Sequence, residues 1–376
     1  MVEVDPRDAV IREGLNRWHK NKYIGTLNYV TGTGKTVAGI KAIEYVLKLN
    51  KKASILIICP SHAIIDNWHR EFSKFRVSEK NITFQCINTA YLVFGTSKWD
   101  LVIADEIHNY LANSYEAFFA NNKYDKLLGL SAKIPRSKFD ACKRIAPIIH
   151  RVDYEEASEK KLISPFKVVA FQVPFIPSQQ IEYDNLTAKI DSLKQGKYTD
   201  SKTLIAKRIE LVNHNIAKLE MVSKVVDMFK GEYGVIFTYK ILTAERVHEE
   251  LGDKSVVYHS AMTNAQKEKA KNLLEDGRTR KKIIISPKSL DEGVTVKRIN
   301  WALALNGDSD ELRFIQRLGR IVRLENPDKK AILVRLFMKH TVEYSWLAKS
   351  AKDLDIKFVS SLEALAKEIE QFDEQS

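Results

Sequence analysis

The chain has 376 residues, with 60 Lys and Arg against 48 Asp and Glu, a net charge of +12 and a pI near 9.3. At roughly 100–200 residues per domain the length fits two domains, and 44% hydrophobic with 29% charged residues excludes a disordered or fibrous chain. No apolar run reaches about 18 residues, and the acidic start MVEVDPRDAV lacks the basic-then-apolar order of a signal peptide. Three scattered cysteines, Cys59, Cys86 and Cys142, exclude a disulfide framework and a CxxC metal site, so a soluble protein of the reducing cytoplasm is expected.

In chain order, short apolar β-rich runs alternate with helix-period stretches. The first set of strands is TLNYV (26–30), SILIICP (54–60), FQCIN (84–88), DLVIAD (100–105) and KLLGLSA (126–132). Between them VAGIKAIEYVLKLN (37–50) and AIIDNWHREFSKF (63–75) read as helices, the arrangement of a parallel sheet covered by helices. ISPFKVVAFQVPFIP (163–177), with three prolines, reads as a connector, and 178–230 as polar, Lys-rich helices. A second alternation follows in GVIFTY (234–239), SVVYHS (255–260), KIIIS (282–286), NWALALN (300–306) and AILVRLF (331–337). The expected organisation is therefore α/β, with a first domain over 1–155, a connector and helical segment over 156–230, a second domain over 231–340 and a helical tail over 341–376. Eight of the twelve excess positive charges lie in the first 150 residues, a balance that attracts a polyanionic partner.

Three segments carry chemistry. Thr31-Gly32-Thr33-Gly34-Lys35-Thr36 follows a strand and opens a helix, the setting in which glycines let backbone N–H groups close round phosphates, a lysine reaches the β/γ-phosphates and a Thr hydroxyl binds Mg²⁺. Tyr29 stands where the GxxxxGK[ST] pattern usually begins with Gly. Asp105-Glu106-Ile107-His108 ends an apolar strand with adjacent carboxylates, one placed for a metal and one for an attacking water. Gln316, Arg320 and Arg323 recur at four and three residues, on one helix face, and guanidinium groups suit the charge of a transferring phosphoryl group.

Together these segments resemble the superfamily-2 DExH helicases and translocases, which have two RecA-like domains. The resemblance runs from about Pro6 to Leu336, with motifs in the family's order: TGTGKT (31–36), ICPSHAIIDNWHREF (58–72), DEIH (105–108), LSAK (130–133), GVIFTY (234–239), SLDEGVTVKRIN (289–300) and QRLGRIVR (316–323). The stretch DEGVTVKRINWALAL and the compact size are most similar to the phage UvsW type and XPB-like relatives. The resemblance implies ATP and Mg²⁺ as cofactors, ATP between the two domains and nucleic acid across both. It assigns Thr31 to Thr36 to the nucleotide, Thr36 and Asp105 to Mg²⁺, and Glu106 to the attacking water. Gln316, Arg320 and Arg323 sense and stabilise the γ-phosphate, and Asp291, Glu292 and Gly293 join the nucleotide site. His108, Ser131 and Lys133 couple hydrolysis to movement, and Ser61, His62, Thr89, His259, Ser260 and Lys288 contact nucleic acid.

Departures from the pattern are Asp8, near where the adenine-reading glutamine falls, Lys133 for Thr in LSAK, and Thr295 where many relatives have Asp. Trp68 and Trp99 read as core residues rather than stacking platforms. The implied activity is an ATP-dependent DNA helicase or translocase, acting as a monomer on single-stranded, forked or branched DNA in replication, recombination or repair. An ATP-gated binding or annealing module and an RNA helicase remain open at this point.

Overall fold

In a computed structural model the chain divides into two units, Met1–Ile163 and Ser164–Ser376. The structure describes residues 5–89, 98–111, 113–195, 201–275, 281–287, 299–307, 330–351 and 354–374.

The first unit is built on β1 (Ile24–Tyr29), β2 (Ile55–Cys59), β3 (Ile82–Cys86), β5 (Leu101–Asp105), β7 (Leu127–Ser131) and β8 (Ile148–Val152), joined by the two-residue strands β4 (Lys98–Trp99) and β6 (Lys123–Tyr124). The main sheet has the order β3-β2-β5-β7-β1-β8 and every pair is parallel. Its central strands are apolar without alternation because both faces are covered; β2, β5 and β7 are buried at every residue. Helices α2 (Lys35–Leu49) and α3 (His62–Phe75) follow the helical pattern expected from sequence, and α1 (Pro6–Lys20) precedes the first strand. Parallel pairing has a functional consequence: all strand C-termini lie on one edge, where ligands of open α/β sheets bind. The three strands ending in TGTGKT, DEIH and SAK, namely β1, β5 and β7, are adjacent there.

The second unit contains β9 (Phe166–Val173), β10 (Gly234–Thr238), β11 (Ser255–Val257), β12 (Ile283–Pro287), β13 (Trp301–Ala304), β14 (Ala331–Met338) and β15 (Ile356–Val359). Its order is β11-β12-β10-β13-β14-β9-β15, again wholly parallel. Two segments do more than their sequence implied. The Pro-bounded stretch read as a connector supplies β9, an interior strand, and the tail supplies β15 beside it as well as helices Val342–Ser350 and Leu362–Glu374. The 178–230 region is helical, over Pro177–Gln195, Ser201–Asn213, Ile216–Leu219 and Val222–Met228, and its buried residues Val212, Val222 and Val226 join the sheet's core. Gly234 is where Trp301 crosses β10: a Cβ there would lie 2.0 Å from the indole.

Candidate nucleotide site and nucleic-acid contacts

The loop from β1 to α2 requires its glycines. Gly32 and Gly34 have φ of 92° and 91°, a left-handed conformation that only glycine adopts without penalty. Gly34 caps α2 without a side-chain hydrogen bond, leaving the first N–H groups of a 15-residue helix facing the loop, the arrangement that binds anions. The loop is braced from within: Thr33 Oγ1 donates to the Val30 carbonyl at 2.7 Å, and the Thr31 and Tyr154 hydroxyls meet at 3.1 Å. Lys35 Nζ donates to the Tyr29 carbonyl at 3.1 Å. Tyr29 itself is fully buried, its hydroxyl donating to the Val10 carbonyl at 3.2 Å and lying 2.7 Å from His150 Nδ1. The usual glycine position is thus filled by a ring whose hydroxyl ties the strand to α1. Burial raises the pKa of that hydroxyl. Asp8, on α1, forms an ion pair with Lys41 of α2.

Asp105 and Glu106 are placed by the end of β5. Both oxygens of Asp105 are occupied: Oδ2 accepts from Trp68 Nε1 at 2.9 Å, and Oδ1 accepts from the Glu106 amide at 3.0 Å. Glu106 sits at φ 50°, ψ 50°, a left-handed conformation costing a non-glycine residue about 1–2 kcal/mol. Its Oε2 is buried without a hydrogen-bond partner, and His108 Nδ1 lies 3.3 Å away, close enough to attract but out of line to bond. Burial, then the neighbouring Glu106 charge, raises the pKa of Asp105. For Glu106 burial works in the same direction, but His108 and Lys35 together outweigh it and hold this carboxylate below its usual range. The two adjacent carboxylates thus sit in different surroundings, Asp105 against the Trp68 indole and Glu106 against the His108 ring.

His108 joins this pair to β7. Its Nδ1 is 2.8 Å from Ser131 Oγ, which donates on to the Lys133 carbonyl at 3.0 Å; Lys138 Nζ donates to the His108 carbonyl at 2.5 Å. Of the residues expected to contact nucleic acid, Ser61 caps α3 beyond β2, with His62 exposed beside it. Thr89 is exposed beyond β3, so all three lie past the C-terminal edge of the first sheet. His259 and Ser260 follow β11 at the corresponding edge of the second sheet, with His259 Nε2 3.5 Å from Glu245 Oε1. Lys288, Asp291, Glu292, Gly293, Gln316, Arg320 and Arg323 lie outside the described residues. Trp68 and Trp99 are buried, as expected. The sequence does not reveal that Trp68 donates to Asp105, nor that Tyr154 and Lys138 brace the site, because each acts across more than 25 residues of chain.

The family model described as type III restriction enzyme, res subunit, matches residues 4–90, and that described as helicase conserved C-terminal domain matches residues 217–325. Together the two matches support superfamily 2 of the helicases and translocases. It is 26% identical over 373 residues to a protein of Sulfurisphaera tokodaii named DNA 3'-5' translocase XPB2, spanning 88% of this chain and 81% of that relative. A putative helicase of Sulfolobus islandicus filamentous virus is 20% identical over 348 residues, covering 84% of this chain and 61% of its own. Among solved structures, yeast Dbp5 bound to RNA and ADP BeF3 matches with a TM-score of 0.65 at 14% identity, over 97% of this chain and 93% of that one. The restriction-modification enzyme LlaBIII bound to DNA also gives 0.65 at 14% identity, over 99% of this chain and 32% of that one. At such identities the likeness concerns the fold: two RecA-like units. The helicase-type matches support an ATP-hydrolysing, nucleic-acid-dependent enzyme.

Proposed function

We propose that this superfamily-2 protein is a motor that moves along, unwinds or remodels DNA, with forked or branched DNA as its substrate class and the monomer as its working form. The observation that carries the reading is the adjacency of β5, β7 and β1, which brings the phosphate loop, the carboxylate pair and the His108–Ser131 contact to one edge of one sheet. That the Sulfurisphaera tokodaii relative is named a DNA translocase favours DNA over RNA.

In this reading the loop amides of residues 31–34 and the start of α2 hold the phosphates, and Lys35 exchanges the Tyr29 carbonyl for a phosphate oxygen. The donor set fits Mg²⁺: the Asp105 carboxylate and the Thr36 hydroxyl are hard oxygen ligands. When bound there, the ion offsets negative charge on the phosphates. The unanswered Glu106 Oε2 is the acceptor for the proton of the attacking water, and the strained backbone at Glu106 keeps that oxygen inside the site. Trp68 fixes the orientation of Asp105. Gln316, Arg320 and Arg323 supply positive charge and nucleotide sensing, and Asp291, Glu292 and Gly293 complete the nucleotide contacts. His108 transmits a change at Glu106 to Ser131 and so to the loop beyond β7. That loop closes on the backbone of Lys133, so lysine in place of threonine leaves the contact intact, which favours a motor over an ATP-gated binding module. Ser61, His62, Thr89, His259, Ser260 and Lys288 contact the phosphate backbone.

The test is ATP turnover at one stated salt concentration without nucleic acid, then with single-stranded, duplex and forked DNA and with RNA, using Lys35→Ala as the blank. Stimulation by a DNA class that is lost in Lys35→Ala is the expected result. Stimulation by RNA alone, or turnover below about one per minute with every nucleic acid, overturns the reading.

A further inference from the structure

The opposite edge of the first sheet, where its strands begin, has no part in the chemistry above, and it is lined with lysine. Lys22 precedes β1, Lys51 and Lys52 precede β2, Lys80 precedes β3, Lys98 lies at the approach to β5, and Lys126 adjoins β7. The strands are parallel and start nearly in register, with Ile55 beside Ile82 and Leu101, and Leu127 beside Ile24. Five of the six strands therefore present lysine at one edge. At about 4.8 Å per strand these five adjacent strands, β3-β2-β5-β7-β1, make a row roughly 19 Å long.

Three features mark this row as more than a solvated surface. First, Lys98 and Lys123 are direct partners in the β4–β6 ladder, so two like charges stand side by side, an arrangement that destabilises a sheet. Second, Lys22 and Tyr23 are consecutive non-glycine residues at positive φ, 55° and 62°, and this costly turn is held rigid: Tyr23 stacks on Tyr45 at 5.9 Å with the two hydroxyls 2.7 Å apart, His19 meets its edge at 5.0 Å, and Lys126 Nζ lies 5.3 Å from its centroid. Third, few acids answer the lysines. Three acids, Asp100, Glu79 and Asp125, face the seven lysines 22, 51, 52, 80, 98, 123 and 126: Asp100 accepts from the Ser54 amide and hydroxyl, at 2.7 and 2.8 Å, and also attracts Lys126 and Lys98, Glu79 is engaged by the His69 ring, and Asp125 is exposed. The corresponding edge of the second sheet also carries lysines, but those described there are engaged locally: Lys254 pairs with Asp227 at 3.3 Å, Lys281 donates to the Ser255 carbonyl at 3.3 Å, Lys282 lies 5.7 Å from the Tyr233 ring centroid, and Lys330 donates to the Phe372 carbonyl at 2.8 Å.

We infer that this edge is a second nucleic-acid surface, which holds the phosphate backbone of duplex DNA on the side of the first unit away from the nucleotide. A row of ammonium groups about 19 Å long spans about six base-pair steps at 3.4 Å each. Lysine suits this partner because it reads charge and not sequence. The inference does not rest on the motor reading, since the binding is measured without nucleotide.

The experiment uses the full chain carrying Lys22→Gln, Lys51→Gln, Lys52→Gln, Lys80→Gln and Lys98→Gln. Affinity for a short blunt DNA duplex, the same duplex in RNA, single-stranded DNA and polyglutamate is followed across a salt series. Loss of five phosphate contacts is expected to weaken duplex DNA binding at least about tenfold at 0.1 M salt and to make the slope of log Kd against log salt shallower by about four. Turnover at saturating single-stranded DNA should stay within about twofold of the parent. A smaller variant, Lys98→Gln with Lys123→Gln, removes the like-charge pair; its melting temperature is expected to rise while duplex affinity falls about threefold, opposite signs that misfolding cannot produce. Unchanged duplex affinity and slope, equal losses on single-stranded and duplex DNA, or a parent that prefers duplex RNA or polyglutamate to duplex DNA would each overturn the inference.

Discussion

Both sheets end a strand beside a helix that starts three to six residues later, yet the two turns are built from different chemistry. Beyond β1 the backbone turns through two left-handed glycines into a helix whose N-terminus has no side-chain cap. Beyond β10 the turn has no glycine: Thr238 Oγ1 donates to the Lys240 carbonyl at 3.2 Å and Lys240 enters the helix Ile241–Leu251 with an extended backbone, also without a side-chain cap. Buried charge differs as well. The first unit keeps Asp105 and Glu106 adjacent, one atom unanswered, under a strained residue. The second keeps Lys218 and Glu343 fully buried and satisfied: Lys218 Nζ donates to Glu343 Oε1 at 2.7 Å and to the Leu305 carbonyl at 3.0 Å, while Glu343 also accepts from the Gly307 and Met338 amides, each at 3.0 Å. The first unit thus carries an adjacent pair with one oxygen unanswered, and the second a closed, structural pair. The difference lies in turns and single buried side chains, not in the sheets.

This contrast can be broken from either side. The largest effect is expected from Glu106→Gln, which keeps the shape and removes the acceptor: DNA-stimulated turnover should fall about a thousandfold with ATP still bound, as read by steady-state hydrolysis and nucleotide titration. Turnover within tenfold of the parent would make the two buried pairs equivalent. Next, Lys218→Met leaves Glu343 buried and uncompensated, so the second unit should lose about 3–5 kcal/mol in denaturant unfolding, and Lys218→Met combined with Glu343→Leu should restore most of it. An intermediate effect is expected from Gly39→Ala. Its methyl would lie 2.4 Å from Trp68, displacing the indole that donates to Asp105, at about 1–3 kcal/mol of first-unit stability and with a matching loss of turnover. The smallest is Ser131→Ala, which removes the contact with His108: hydrolysis should change less than about tenfold while strand displacement per ATP declines, measured on the same forked DNA.

Much of this was legible in the residues. The glycine pattern at 31–36, the LVIAD strand and the helical stripes of α2 and α3 are local features, and local periodicity reports them. What stayed hidden depends on long-range pairing. The prolines at 165, 174 and 177 made 163–177 read as a connector, whereas Pro165 and Pro174 bracket β9, an interior strand whose partner begins at Ala331. β15 is short, with Lys357 and Phe358 exposed, and resembles a loop until it is laid beside β9. The Trp68–Asp105 bond and the Lys218–Glu343 pair span 37 and 125 residues. No spacing rule announces a tryptophan as a carboxylate's donor or a helical lysine as a buried partner.

The placement of β9 also bears on how the chain is made. Its inner neighbour β14 and outer neighbour β15 both lie more than 150 residues downstream. At roughly 5–20 residues per second, the buried strand FKVVAFQV waits on the order of 10–30 s during translation before either flank exists to cover it. Its two unpaired edges are open through that interval to pairing with another nascent chain, which makes the second unit the one whose yield depends on synthesis rate and on chaperones that shield apolar strands.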